Sequence, residues 1–230
     1  MDLLQRHVRP LALTDVTATA ELHARCLRQG LFPRLGPEFL ARWHATFTDT
    51  DSAWAAVCVD DRGDQRSTVV GYVLVSVDPP RHRRHAMVVH RGPLVRAASR
   101  GMARRPHVAF FFVRTRLVRY GRRALRTWIG KRTPAPRARS GAPAVLQALV
   151  TDERHRHEGV ATELLGRALQ EISRRGVREV VLLTQEQEAV ALYERFGFET
   201  TGVRVRDGAE WTHMRRGGDE RAGGLAGAPR

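Results

Sequence analysis

The feature that most constrains this 230-residue chain is a regular alternation of strand and helix patterns in its second half. Short apolar runs bounded by polar turns are typical of buried strands, and apolar residues spaced three and four apart are typical of helices. Gly176 and Gly197 each follow a helical pattern and mark its end. The predicted elements are a strand at 145–150, a helix at 159–175, a strand at 177–184 and a helix at 187–196. This alternation predicts an α/β domain.

The first part of the chain continues the mixture of strands and helices. A strand is predicted at 7–11, and two helices are predicted to begin near Thr14 and Pro37. Two strand-like runs at 53–59 and 68–77 flank a polar turn, so we expect them to form an antiparallel hairpin.

The turn that precedes Gly159 has the properties of a phosphate-binding loop. The first N–H groups of a helix lack intrahelical partners, and the helix dipole favours an anion beside them. Glycine at position 159 lets the backbone approach a pyrophosphate that a side chain would hold away. A tight strand-to-helix turn without any ligand is the alternative explanation of this glycine.

Two motifs in the second half resemble those of the GNAT superfamily of N-acetyltransferases. The acetyl-CoA loop of that family has the form Arg/Gln-x-x-Gly-x-Gly/Ala, which Arg156, Gly159 and Ala161 match. Further along, the segment 189–198 matches the family pattern A-x-x-L-Y-x-x-x-G-F. The segment 31–40 is similar to a GNAT subgroup that carries a basic helical insertion before the coenzyme-binding strand.

The resemblance implies a mixed α/β fold whose mostly antiparallel sheet is flanked by helices and splayed where the coenzyme enters. We expect a single GNAT domain at residues 1–216, with a basic helical insertion at about 79–141. Within the insertion, the spacing of apolar residues predicts an amphipathic helix at 108–129. The glycine-rich segment 217–230 is predicted to be a disordered tail.

The resemblance also implies a binding site for acetyl-CoA, which the family uses as co-substrate. The backbone of the strand at Leu149 and Val150 would bond the pantetheine arm, and an N–H near Val150 would polarise the thioester carbonyl. Glu186 stands where the family often has an asparagine, which leaves that contact open. The predicted coenzyme-binding residues are Leu149, Val150, Thr151, Arg156, His157, Glu158, Gly159, Val160, Ala161 and Glu186.

Tyr193 is the predicted catalytic residue, because family members use a tyrosine here to protonate the departing thiolate. The ordinary pKa of a phenol, about 10, lies above the ~8.5 of a thiol, so the proton is present at neutral pH. A core tyrosine without a catalytic role is the alternative. The amine attacks the thioester directly, so no protein nucleophile is needed. The general base is not assigned: Asp152, Glu153 and a chain of water molecules are all candidates.

These patterns predict an N-acetyltransferase that moves an acetyl group from acetyl-CoA to a primary amine. An amino sugar or other small metabolite is the first expectation for the acceptor, and a protein amino group is the second. Two alternatives stay open. One is a nucleic-acid- or membrane-binding module on an inactive GNAT fold, and the other is a transferase for a longer acyl chain. Oligomeric state is not predicted.

The positive charge of the chain is concentrated in the predicted insertion. Residues 81–139 contain seventeen arginines, Lys131 and no acidic residue, whereas the rest of the chain has 21 basic and 24 acidic residues. An apolar stripe beside arginines would suit either binding to an anionic membrane surface or a lid over the substrate. Nucleic acid is the less favoured partner, and a solvated elaboration without a partner remains an alternative.

The remaining sequence signals are consistent with a cytoplasmic protein, with membrane association through the insertion left open. The amino terminus has no uninterrupted apolar core before Arg6, so a signal peptide is not expected. Cys26 and Cys58 are expected to be reduced thiols. His155 and His157 lie in a turn without further ligands nearby, so no metal is predicted.

Overall fold

The computed structural model describes residues 6–27, 31–61, 67–105, 142–206 and 209–217. These residues form a seven-stranded sheet with the order β1-β2-β3-β4-β5-β7-β6. The strands are β1 (Arg6–Pro10), β2 (Ala53–Asp60), β3 (Thr68–Ser76), β4 (Ala144–Thr151), β5 (Val180–Thr184), β6 (Glu199–Arg206) and β7 (Ala209–Arg216). The helices are α1 (Val16–Cys26), α2 (Leu31–Leu35), α3 (Pro37–Ala45), α4 (Pro79–Val88), α5 (Arg91–Ala103), α6 (Val160–Arg174) and α7 (Gln187–Arg195).

Antiparallel pairing dominates the sheet, which confirms the predicted fold class. Among the described strands, β4 and β5 form the one parallel pair, and the other five pairs are antiparallel. The predicted hairpin is confirmed as β2 and β3, which pair from Ala53 opposite Ser76 to Asp60 opposite Thr68.

The parallel pair separates soon after it begins. β4 and β5 are in register only from Ala144 opposite Val180 to Leu146 opposite Leu182. β4 then continues to Thr151 and β5 to Thr184 with no further pairing between them in the described structure. The sheet is therefore splayed between these strands, as the family resemblance implied.

Helices cover both faces of the sheet because alternate residues of its central strands point in opposite directions. In β3, Val73 and Val75 belong to the core on one face, which the apolar side of α6 completes. Tyr72 and Leu74 belong to the core on the other face, which includes Leu22 of α1. The helices α6 and α1 thus pack on opposite sides of β3.

The described part of the basic insertion consists of α4 and α5. The ring N–H groups of His85 and His90 donate hydrogen bonds, each 2.9 Å long, to the two carboxylate oxygens of Asp49. These bonds attach the two helices to the loop before β2. None of the described helices combines the length and the apolar character needed to cross a bilayer. The helix predicted at 108–129 and the segment 218–230 lie outside the described residues, so the domain boundaries remain predictions.

Gly71 in β3 allows the start of α6 to approach the sheet closely. A Cβ atom at this position would lie 2.7 Å from Cγ1 of Val160 and 2.9 Å from the carbonyl oxygen of Val150. Both distances are shorter than real contacts of a Cβ atom, so a side chain here would force the helix or the neighbouring strand to move.

We therefore expect Gly71→Ala to lower the free energy of unfolding by about 1–3 kcal/mol, the usual cost of overpacking. Gly202→Ala is the matched control, because Gly202 also lies in a strand but a Cβ there would meet no atom within 4 Å. Chemical denaturation of both variants measures the difference. Equal stability of the two variants would contradict the close packing of α6 on β3.

Candidate active site

The splay between β4 and β5 opens into a cavity of about 1300 Å³. This volume exceeds the roughly 300–1,000 Å³ of a typical ligand pocket, so the cavity has room for two substrates. Its walls come from β4 and β5, the turn before α6, the first turn of α6, α7, and the region between α1 and α3. Ten of the eleven residues predicted for the site line this cavity, and Glu158 is the exception.

The outer half of β4 supplies one wall with an unpaired backbone edge. Leu149, Val150 and Thr151 line the cavity and lie beyond the last residue that pairs with β5. Backbone N–H and C=O groups on this edge have no sheet partner there, so they are available to an extended, strand-like ligand. Pairing of β4 with β3 from Val145 to Thr151 holds this edge in place.

The turn between β4 and α6 presents free N–H groups to the same cavity. The first bond within α6 runs from the Glu163 N–H to the Gly159 carbonyl, 2.9 Å. The N–H groups of Val160, Ala161 and Thr162 therefore precede the first intrahelical bond, and all three residues line the cavity. Unpaired N–H groups at a helix start, with the helix dipole behind them, attract an anion such as a pyrophosphate.

Gly159 is required by the backbone of this turn. Its φ of 83° lies in the left-handed region, where glycine avoids the steric cost of a side chain. A Cβ atom at Gly159 would meet no protein atom within 4 Å, so the space beside it is open. His157, with φ 63°, adopts a similar conformation two residues earlier. At Gly159 the turn thus presents bare backbone to the cavity.

Glu158 is not among the residues that line the cavity, and it connects the turn to β1. Arg6 in β1 donates one hydrogen bond to the Glu158 carboxylate, 2.7 Å, and another to the Glu158 carbonyl, 2.6 Å. These bonds hold the turn in place, and the role of Glu158 in coenzyme binding stays a prediction.

The hydrogen bonds at the carboxyl end of α7 fix the position of Tyr193. After the helix, the Gly197 N–H donates to the Glu194 carbonyl and the Phe198 N–H donates to the Tyr193 carbonyl, a Schellman motif. This motif returns the Phe198 ring to the Tyr193 ring, with centroids 5.7 Å apart in an edge-to-face arrangement. The L-Y-x-x-x-G-F pattern is thus a helix end that fixes the orientation of the tyrosine.

The Tyr193 phenol remains protonated at neutral pH. Burial raises its pKa above the ordinary value, and the negative charge of Glu186 raises it further. Only 6% of the tyrosine is exposed, yet it lines the cavity. A protonated phenol at the wall of a cavity is suited to donate a proton to a bound leaving group.

The cavity is also lined by residues that the sequence analysis did not place in the site. They are contributed by α1, α2, α3 and the start of β7. Burial raises the pKa of the Cys26 thiol, with Asp152 adding to the effect, so this cysteine is not an activated nucleophile. Apolar periodicity predicts most of these side chains as core, and no motif distinguishes them. The residues are His23, Cys26, Leu27, Phe32, Pro33, Trp43, Ala209 and Trp211.

A separate group of side chains has the composition of a metal site. The ligand atoms of Asp49, His85 and His90 lie within 4.8 Å of one another. None of these residues lines the cavity, so the group has no part in the site described above.

Comparison with known proteins agrees with this geometry. Residues 136–217 match the family described as the acetyltransferase (GNAT) domain. Search of the curated proteins finds no significant match. Solved structures do match over nearly the whole chain, and many of these neighbours are GNAT N-acetyltransferases.

Three of these structures illustrate the likeness. A GCN5-related N-acetyltransferase from Kribbella flavida is 15% identical, with 93% of this chain and 98% of that chain covered and a TM-score of 0.57. The protein yncA from Salmonella typhimurium, solved with its cofactor acetyl-CoA, is 14% identical, with 95% and 96% covered and a TM-score of 0.54. A spermidine N-acetyltransferase SpeG chimera from Vibrio cholerae and hSSAT is 15% identical, with 93% and 95% covered and a TM-score of 0.53.

The fold is that of GNAT N-acetyltransferases of known structure. Residues 136–217 carry the sequence similarity to the GNAT family, whose co-substrate is acetyl-CoA. The similarity of the chain to a subgroup with a basic insertion remains a prediction.

We expect Tyr193→Phe to lower the turnover of an acetyl-transfer reaction about 100-fold, within the usual range for loss of a general acid, and to leave acetyl-CoA affinity nearly unchanged. The change removes one hydroxyl and keeps the ring. Thiol release measures turnover, and calorimetry measures affinity.

Tyr72→Phe is the matched control for this prediction. The Tyr72 hydroxyl is buried without a hydrogen-bond partner, so its loss is expected to leave turnover intact and stability equal or slightly higher. If Tyr193→Phe kept wild-type turnover, the tyrosine would be a packing residue and not the acid.

Proposed function

We propose that this protein is an N-acetyltransferase that transfers the acetyl group of acetyl-CoA to the primary amine of a small metabolite. The observation that carries the proposal is the meeting of three features at one cavity. These are the unpaired edge of β4, the bare helix start at Gly159, and the buried, protonated Tyr193. An amino sugar is the first expectation for the acceptor, and a protein amino group is the second.

In this proposal, each wall of the cavity binds one part of the coenzyme. The free N–H groups of Val160, Ala161 and Thr162 hold the pyrophosphate. The edge of β4 at Leu149 and Val150 bonds the pantetheine arm as an added strand would, and an N–H at Val150 stabilises the tetrahedral oxyanion. Tyr193 donates its proton to the coenzyme sulfur as the carbon–sulfur bond breaks.

The wall formed by α1, α2, α3 and β7 suits the acceptor. Phe32, Trp43 and Trp211 give this side an aromatic character, and aromatic faces attract ammonium groups and pack against apolar surfaces. The charged lining of the cavity is mixed, because three carboxylates stand beside four guanidinium groups: Glu153, Glu186, Glu188, Arg25, Arg34, Arg156 and Arg195. The aromatic side chains are therefore the feature of this wall that favours an amine acceptor.

The coenzyme site is tested by calorimetry with acetyl-CoA on the wild type and on Gly159→Glu. We expect tight binding by the wild type and no measurable binding by the variant, because a carboxylate would occupy the open space beside Gly159, where we place the pyrophosphate. Tight binding by the wild type would justify screening amines for thiol release.

Gly176→Glu is the matched control, because it has the same charge change and the same backbone strain. Gly176 follows the other end of α6, has φ 73° and would place a Cβ in open space, but it does not line the cavity. This variant should bind acetyl-CoA like the wild type. Equal weak binding by all three proteins would mean non-specific attraction to a basic protein, and would favour the alternative of a binding module.

We also propose that the enzyme is cytoplasmic and associates with anionic membranes through the basic insertion. In its described part, Met87, Val88 and Val89 are each more than half exposed where α4 ends. Arg83, Arg84 and Arg91 lie beside them in sequence and are exposed. An exposed apolar tip with arginines around it is suited to the interface of an anionic bilayer.

Sedimentation with phosphatidylserine vesicles tests this association. We expect Val88→Ser to weaken vesicle binding, whereas Leu13→Ser should not, because Leu13 is similarly exposed at 65% but lies outside the insertion. If both variants sedimented like the wild type, the exposed apolar residues at the end of α4 would have no role in vesicle binding. If the wild type itself did not bind the vesicles, the proposed membrane association would be rejected.

A further inference from the structure

A pair of buried histidines connects the acceptor side of the cavity to the protein interior. Nδ1 of His23 in α1 lies 3.2 Å from Nε2 of His44 in α3. Nδ1 of His44 lies 2.9 Å from Oγ1 of Thr19, whose hydroxyl donates to the Val16 carbonyl. His23 lines the cavity, whereas His44 and Thr19 have no exposed surface.

We assign the protons of this chain of hydrogen bonds from its Thr19 end. The Thr19 hydroxyl donates to the Val16 carbonyl, 3.2 Å, and with its proton placed there its oxygen accepts a hydrogen bond from Nδ1–H of His44. A neutral imidazole has one N–H, so in this assignment Nε2 of His44 is an acceptor and Nδ1 of His23 donates to it. The assignment leaves Nε2 of His23 unprotonated. Burial lowers the pKa of His23 to about 4 and of His44 to about 3, so both rings are neutral at pH 7.

The unprotonated Nε2 atom of His23 is available to a ligand. Within the described residues, no hydrogen bond to this atom occurs, and it is not among the polar atoms that are fully buried without a partner. Since the residue lines the cavity, its bare nitrogen is a hydrogen-bond acceptor for a donor bound there.

His23 also lies at the level of β4 where the reaction is proposed to occur. Its ring stacks on the Tyr72 ring, with centroids 6.1 Å apart, and Tyr72 is directly opposite Val150 in the sheet. One turn further along α1, the Cys26 thiol lies 3.8 Å from the Thr151 carbonyl. Both contacts place this face of α1 over the last residues of β4.

His155, the other candidate imidazole at the cavity, is less suited to accept a proton. Its Nε2 faces the Asp60 carboxylate at 3.5 Å, and its Nδ1 is buried without a partner. Neither nitrogen of His155 is therefore both unprotonated and open to the cavity. Glu186 acts on the phenol of Tyr193, which is the leaving-group side of the site.

We propose that His23 is a catalytic residue, whose Nε2 accepts a hydrogen bond from the attacking amine and takes its proton as the carbon–nitrogen bond forms. This inference rests on the proposed acetyl-transfer function. His44 and Thr19 are positioning residues, because they act on the substrate only through the tautomer and orientation of His23.

The proposed step balances as follows. The neutral amine nitrogen bonds to the thioester carbon and becomes strongly acidic, and one of its protons moves to Nε2 of His23. The carbon–sulfur bond breaks, and the sulfur takes the phenolic proton of Tyr193, which gives the amide and free coenzyme A. His23 is left as an imidazolium and Tyr193 as a phenolate, and exchange with water restores both groups.

The tautomers are tested first by nitrogen NMR of histidine-labelled protein, which needs no acceptor. We expect Nε2 of His23 and Nε2 of His44 to have the chemical shifts of unprotonated nitrogen, and both Nδ1 atoms to have those of protonated nitrogen. Thr19→Val should leave His44 in a mixture of tautomers. A protonated Nε2 on His23 in the wild type would overturn the proposal.

Kinetics of His23→Gln provide the second test, with glucosamine, spermidine and concentrated methylamine as acceptors. We expect thiol release to fall about 100-fold or more, while acetyl-CoA affinity by calorimetry stays within about twofold.

His82→Gln is the matched control. His82 is also buried and neutral and bonds to Ser76 and Thr46, but it does not line the cavity. This control should keep wild-type turnover at a temperature where it is folded.

The two readouts separate the failure of this inference from failure of the proposed function. Wild-type protein that binds no acetyl-CoA would reject the acetyltransferase proposal, and with it the catalytic role of His23. A His23→Gln variant that binds acetyl-CoA and keeps wild-type turnover would overturn the role of His23 alone.

Discussion

The separation of β4 and β5 after Leu146 is the constraint on which the rest of the site depends. Parallel strands normally satisfy each other's backbone groups along their length, and here only three residue pairs do so. The unpaired edge is tolerated because it faces a cavity, and β3 pairs with β4 along most of its length and keeps it extended. The proposed positions of the pantetheine arm, the oxyanion and the attacking amine all lie along this edge.

The ends of two helices then place two kinds of hydrogen-bond donor at the cavity, the backbone N–H groups at the start of α6 and the phenol of Tyr193 at the end of α7. The start of α6 provides unpaired N–H groups with little cost, because Gly159 accepts a left-handed backbone. The end of α7 orients Tyr193 through the hydrogen bond of its carbonyl with the Phe198 N–H. The proposed anion binding and proton donation thus depend on backbone geometry at helix ends, which short glycine-containing motifs encode locally.

This local encoding explains how much of the molecule could be predicted from its sequence. The turn before α6 and the end of α7 depend on residues within about one helical turn, so motifs predict that Gly159 and Tyr193 lie at helix ends, as the structure shows. The placement of His23 depends on α1 packing against α3, β3 and β4, contacts between residues far apart in the chain. No pattern in α1 distinguishes a histidine at a cavity wall from one in the core. The contact of Glu158 with Arg6 likewise joins residues far apart in the chain, and no motif predicts it.

The Arg6–Glu158 contact has a consequence for the cooperativity of the fold. β1 is an edge strand, and edge strands near a chain terminus are usually among the first parts of a domain to open. Because Arg6 holds the side chain and the carbonyl of Glu158, opening of β1 would also release the turn that precedes α6. A ligand held by that turn would therefore protect the amino-terminal strand from local unfolding, although the two segments are 152 residues apart in sequence.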